Sequence, residues 1–428
     1  MRIALVFRVL VTLVALVPLP GLLSAVYVDA EGEWRERPSQ TREFAFTKRH
    51  LASSFDGYGP SDVIAPPFAI IALSHFAAGL MNVWTAEKEQ QAEVTALLDE
   101  VARRATHPNV IPRSLGDRQP FDATSLDDQN LYLSHLGVIL GVRRIVACAG
   151  DRSCPNAEAS DAMHERIVHH LRARSLGSPL AHAPSYPDSE MWPADQAVTL
   201  LALRLYDEAH HTELLEAPLE LWLETMKKHT DPETGLFHSS VSPLVYATTP
   251  RGCALSWTSL YLAQVEPDVA REQYQRYREH MSADVLGFGG FREWPVDRDK
   301  GGMDADSGPI FFGVGMAATG LGLGPARLFG DADRYTTIRR SALTFGVPSV
   351  FASHGYDLAP ILGEAILFHG RTARPWFGPP SPPVKAPRAN AFSFPSLVLL
   401  LGYVALVVVW VRPLLRPVAH RRAASKLT

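Results

Sequence analysis

Cysteine is scarce in this chain of 428 residues: Cys148, Cys154 and Cys253 are all there are, and no two stand in a Cys-x-x-Cys spacing. His-Glu-x-x-His is missing too, so metal chemistry has little to rest on, and neither a metal nor another cofactor is expected. No Gly-x-Ser-x-Gly elbow occurs. Gly313–Gly315 and Gly320–Gly322–Gly324 fail as a dinucleotide fingerprint, because no strand precedes them and no βαβ unit surrounds them. Period-two alternation is rare, which leaves strands a minor role. Positive charge is short as well. Once Arg2, Arg8, Arg412, Arg416, Arg421, Arg422 and Lys426 are set apart, residues 29–411 hold 34 basic against 45 acidic side chains, a net charge of −11. A body that acidic is a poor partner for nucleic acid, whose phosphates need clustered Lys and Arg.

Long apolar runs are present. Residues 391–411, AFSFPSLVLLLGYVALVVVWV, carry no charge and as a helix would cross roughly 31 Å of hydrocarbon. The basic tail 412–428 should stay cytoplasmic, the proline-rich stretch 377–390 reads as a stalk, and the body is expected outside the cytoplasm. A bacterial inner membrane, with the main domain facing the periplasm or cell exterior, is the expected setting. Residues 1–28 read as a signal peptide or an N-terminal anchor, since Leu23-Ser24-Ala25 resembles a cleavage site only loosely. Val63–Trp84 holds Pro66, Pro67, Ser74, His75 and Asn82 and runs into a charged helix, which suits a buried core helix. In an exported compartment Cys148 and Cys154 are close enough for a disulfide, two unrelated thiols being the alternative.

After a lead-in at 29–63, residues 64–376 alternate apolar helices with amphipathic ones, as in 192–208 followed by 215–228. The expected fold is all-α: an α/α toroid of the six-hairpin barrel type, apolar helices inside and charged ones outside. Loops at one end would then collect polar side chains around a central funnel. Asp304 and Asp306 precede a glycine-rich helix expected from Gly308, and Asp195 opens another behind Trp192. Each carboxylate is either a helix cap or a general acid/base with its pKa raised by burial. His135 sits mid-helix with Tyr132 on the same face and is either core or a proton carrier. Trp192, Trp257, Trp294, Tyr132 and His238 are the expected substrate-binding side chains, with exposure the alternative for His238.

The order of segments over residues 64–346 resembles the linalool dehydratase/isomerase family. It runs Asn130 through His135-Leu136, Pro187-Asp188, a helix ending Tyr206-Asp207, Asp231-Pro232-Glu233-Thr234-Gly235, and Asp304-Ala305-Asp306-Ser307-Gly308. The resemblance implies an exported α/α toroid with His135 near the active site. The family's cysteines near Pro-Asp are replaced here by Ser185 and Ala194, so linalool chemistry itself is not implied. Asp231-x-x-Thr234-Gly-Leu-Phe237-His238 and the Trp192-x-x-Asp195 helix start are similar to glycan-processing toroids such as unsaturated glucuronyl hydrolases. The expected function is an acid/base lyase or isomerase on a small or lipid-like alcohol. A glycan-processing hydrolase or lyase and a non-catalytic envelope binding or scaffold protein are the alternatives. The expected partners are a small-molecule or glycan substrate and a lipid bilayer.

Overall fold

Helices apolar on all sides have no face that water tolerates, and this chain has several. The computed structural model describes residues 11–12, 14–112, 115, 121, 126–148, 158–187, 191–242, 249–285, 287–298, 302–349, 355–380, 382–383 and 390–415. The chain forms α1 (Leu19–Val26), a short α2 (Ala30–Arg35), α3 (Arg42–Ala52) and the single turn α4 (Pro60–Val63). Long helices follow: α5 (Phe68–Ala86), α6 (Gln91–Ala105), α7 (Asn130–Cys148), α8 (Glu158–Gly177), α9 (Pro193–His210) and α10 (Glu216–Lys228). Next come α11 (Gly252–Leu262), α12 (Pro267–Met281), α13 (Met316–Leu328), α14 (Ala332–Gly346), α15 (Ile361–Thr372) and finally α16 (Phe394–Leu415). Among the described residues, strands are confined to two antiparallel hairpins, β1 (Ser282–Val285) with β2 (Phe288–Phe291) and β3 (Ile310–Phe311) with β4 (Val314–Gly315).

Helices α5, α7, α9, α11, α13 and α15 each pack on the next, and α15 returns against α5. With α3, α6, α8, α10, α12 and α14 around them, they make an α/α toroid. The inner members are buried on every side, α5 continuously from Ala69 to Val83. Outer members bury one stripe only, as α12 does with Ala270, Gln273, Tyr274, Tyr277 and Met281. Closure of the ring needs a glycine: a Cβ on Gly79 of α5 would stand 2.3 Å from the Phe368 ring of α15. The ring also takes in α3, part of the segment read as a lead-in, because its Glu43 is buried in an ion pair with Arg371 of α15.

Each outer helix runs back between two inner ones, so all six inner helices point the same way. The long loops 106–129, 178–192, 229–251, 282–315 and 347–360 therefore meet at one end, the mouth, while the opposite loops are short.

Two sequence expectations shift here. The helix after the Asp304–Gly308 run begins at Met316, because β3 and β4 intervene through a turn at Phe312 and Gly313, both with positive φ (52° and 80°). Asp304 and Asp306 thus cap no helix. Asp304 instead closes a turn, accepting from the backbone N–H groups of Asp306 and Ser307. Phe312 carries a left-handed conformation that costs a non-glycine residue about 1–2 kcal/mol. Asp195 is likewise not the cap of α9: Trp192 holds that position without a side-chain bond, and Asp195 lies in the first turn.

Among the described residues three helices are long and apolar enough to cross a membrane. Phe68–Ala86 and Asn130–Cys148 are 83% buried in the ring, whereas Phe394–Arg412 is 6% buried. Only the last is free to meet lipid. Its foot pairs with the N-terminal segment: Val28 N–H donates to Ala391 O (2.9 Å) and Ser393 N–H to Val26 O (2.8 Å). Higher up, the Tyr403 hydroxyl donates to Ala15 O at 2.6 Å. The apolar segment ending in α1 therefore runs antiparallel to α16. Helix α1 in turn rests on the last turn of α14, where a Cβ on Gly21 would come within 2.4 Å of Leu343 O. The anchor thus joins the ring at its mouth end.

Beyond α1, Glu33 accepts from Arg339 Nε (2.9 Å) and the Tyr335 hydroxyl (2.6 Å). Burial pushes its carboxyl up, but Arg339 and Arg371 outweigh this and hold the pKa at about 2. Cys148 is disulfide-bonded; Cys154 lies outside the described residues, and Cys253 is free and buried.

Two outcomes follow from this packing. Gly79→Ala should destabilise the protein by about 1–3 kcal/mol in denaturant unfolding, since the Phe368 ring has to move. Glu33 lowers its pKa on folding, so its stabilisation is full above the ordinary 4.5 and is lost as pH falls toward about 2. A Glu33→Gln variant should show a flatter loss of melting temperature across that window than the parent.

Candidate active site

The middle of the ring is a packed tier of aromatic and imidazole side chains. Ser134 and Thr199 share a hydrogen bond of 2.7 Å that sets the register of α7 against α9. His135 follows at 1% exposure, its ring edge-on to Trp257 (5.6 Å) and Tyr261 (6.0 Å) of α11. From the far side His75 of α5 meets Trp257 at 5.7 Å, and its Nδ1 shares a hydrogen bond of 2.9 Å with Nδ1 of His369 on α15. One of those two nitrogens must donate, so the pair holds a single proton between them. Burial lowers His135 and His369 to about 3 and His75 well below its ordinary value, so all three are neutral at pH 7. Neither ring nitrogen of His135, nor Trp257 Nε1, has a protein partner. Each such buried group costs about 1–3 kcal/mol unless another polar molecule meets it.

A second tier lies one helical turn nearer the mouth. Leu131 N–H donates to Ser185 O at 3.1 Å, which sets Ser185 a turn above His135. The Ser185 hydroxyl donates to Asp195 Oδ2 at 2.5 Å. Desolvation raises the Asp195 pKa to about 6, with Asp306 adding to the rise and the Ser185 bond opposing it. Tyr186 and Trp192 stand beside it, edge to face at 6.4 Å.

On α11, Cys253 occupies the position a turn above Trp257. Its Sγ donates to Glu293 Oε1 at 3.0 Å, and its backbone N–H donates to Oε2 at 3.2 Å. Arg251 bridges Glu293 (2.9 Å) and Asp304 (2.9 Å), its guanidinium 4.9 Å from the centre of the Trp294 ring. Burial raises the fully buried Glu293 against the pull of Cys253 and Arg251. Burial also raises Cys253 well above its ordinary value, so the thiol keeps its proton. Asp304 is raised by burial but lowered further by Arg251 and Ser307, and remains a carboxylate. Asp306 is raised, by desolvation and then by Asp304.

The two tiers gather His135, Trp257, Asp195, Trp192, Asp304, Asp306 and Trp294 from two inter-helix segments and three inner helices. Tyr132 is not among them: its hydroxyl donates to Ala105 O (3.0 Å) and its ring meets Phe121, so it faces the outer layer. His238 is buried rather than exposed, stacked edge-on against His229 at 6.3 Å on the loop before α11. A cleft of about 560 Å3 lies away from these tiers, between α1, Glu33, Arg42 and Arg371. Sequence reasoning passed over Glu293, Arg251, Cys253, His75, Tyr261 and His369. A second lone histidine in an apolar helix, His75 beside His135, was the available signal for the lower tier. Among the described residues no three His, Cys, Asp or Glu side chains converge as a metal site needs.

No family model and no curated protein matches the chain. Among solved structures, a polysaccharide lyase aligns with a TM-score of 0.48 and 9% identity, covering 79% of this chain and 97% of that one. At that distance the likeness says nothing about activity, and it does not single out the linalool dehydratase/isomerase family.

The raised pKa of Asp195 has a direct test. A carboxyl that folds from 3.8 to about 6 destabilises the protein progressively as pH rises through that interval. Asp195→Asn, which can still accept from Ser185, should therefore melt higher than the parent at pH 8, with the difference gone by pH 4.

Proposed function

We propose that the chain is a membrane-anchored, extracytoplasmic acid/base enzyme of the lyase or isomerase class, acting on a hydroxyl-bearing small or lipid-like molecule at the ring mouth. One observation carries this reading: a carboxyl held near pKa 6 stands one turn above a neutral histidine that has no protein partner. At neutral pH a useful fraction of Asp195 is protonated and can give its proton to a substrate hydroxyl. The C–O bond then breaks, water leaves, and a proton lost from the neighbouring carbon goes to His135 as the double bond forms. A pKa near 3 makes His135 a weak base at rest, but the carboxylate that Asp195 becomes raises its basicity at that moment. Asp306 is the second candidate acid or base. Asp304, locked to Arg251, is better suited to positioning. Trp257 and Trp192 would shield developing positive charge on carbon. The basic tail after α16 supports placing the ring outside the cytoplasm.

A second reading is favoured by Tyr186, Trp192 and Trp294, which flank two carboxylates of raised pKa as ring-stacking platforms would in a glycan-processing enzyme. Incubating the full-length protein with terpenoid alcohols and with uronate oligosaccharides separates the two. Turnover of the first class supports the lyase or isomerase, and of the second the glycan enzyme. No turnover of either would leave a binding or scaffold protein. With the active substrate, Asp195→Asn and His135→Ala should each lower kcat by about 100-fold or more. The parent kcat/KM should fall as pH rises through about 6. Full rates in both variants would refute the assignment.

A further inference from the structure

The β3–β4 hairpin ends in an aromatic tip that nothing among the described residues covers: Phe312 is 87% exposed and Phe311 60% exposed. Met303 (72%) and Met316 add apolar surface on either side. The hairpin borders the upper tier directly, since Glu293 N–H donates to Gly313 O at 3.0 Å. The two-residue loop itself sets the positive φ at Phe312 and Gly313, as a primed hairpin turn requires; what calls for a partner outside the chain is the pair of large rings that this turn holds in the open.

Geometry points to the bilayer as that partner. A strip of backbone joins the hairpin to the anchor: β4 pairs with the β2 segment through an Arg292–Val314 bridge, and β2 begins at the turn of Gly287, where a Cβ would stand 3.2 Å from Ser393 Oγ at the foot of α16. From Gly287 to Arg292 is about 17 Å of extended chain. Tyr27, Phe345 and Phe392 continue the exposed apolar surface around that foot. Arg292 lies under the tip, its Nη1 2.7 Å from where a Cβ on Gly313 would be. Aromatic rings with a basic side chain behind them match the headgroup boundary, where rings sit in the acyl edge and the cation meets phosphate.

We infer that the β3–β4 hairpin dips Phe311 and Phe312 into the bilayer spanned by α16, so that the mouth faces the membrane surface rather than open solvent. This placement holds whether the mouth catalyses or only binds, and its test reads depth, not turnover. The full-length chain is reconstituted in vesicles of phosphatidylcholine and phosphatidylglycerol with a nitroxide on Phe312→Cys or, separately, on Met303→Cys. Val409→Cys on α16 serves as the lipid control and Glu224→Cys on α10 as the aqueous one. Collision with oxygen should exceed collision with a water-soluble nickel chelate several-fold at 312, and less strongly at 303. Nickel accessibility at 312 and 303 equal to that at 224 would overturn the placement. So would labels shielded from both reagents, which would mean that a second copy or another protein covers the tip.

Discussion

The structure depends on one constraint: six helices without a polar face must hide one another, and they can do so only if the last closes on the first. Closure occurs where Phe368 of α15 lies over the bare backbone of Gly79. Polar groups on that seam have to be paired across it. His75 therefore finds His369, and Asn82 donates to His369 O and Thr372 while accepting from Trp376. The seam thus accounts for two of the three buried imidazoles of the lower tier.

Burial then sets the chemistry of both tiers. In the lower tier it keeps three histidines neutral; a turn higher it raises Asp195 to about 6 and keeps the proton on Cys253. Arg251 divides the acids of the mouth by reach. Asp304 and Glu293 lie within its span and form one ion-paired cluster, while Asp306 makes no ion pair with it and is raised by desolvation and by Asp304, and Asp195 is raised chiefly by desolvation. A single guanidinium thus separates acids held as ion pairs from acids whose pKa burial raises.

Much of the ring was legible from the sequence, because helices such as Asn130–Cys148 and Pro193–His210 announce themselves by continuous apolar runs next to amphipathic ones. The expectation for Val63–Trp84 as core succeeded for the same reason: His75 and Asn82 are costly in lipid but satisfied at the seam. What could not be read was set by long-range packing. Nothing local to Phe312-Gly313 outweighs the helical look of the glycine-rich run after it, so the hairpin was missed. Nothing local to Glu293 tells that it will be sealed under Arg251 and Cys253. Tyr132 shares a face with His135 by spacing, yet the helix turns it toward Ala105.

The two core helices hydrophobic enough to resemble membrane spans lie early in the chain, while the partner that completes their shelter is separated from them by most of the sequence. During synthesis, α5 and α7 therefore emerge long before α15 exists. In that interval their apolar faces lack the shelter of the closed ring, and segments of that hydropathy are ones a bilayer would take up. The buried histidine, asparagine and serine of α5 then act as a passport against premature insertion, lowering its affinity for lipid until the ring can shut.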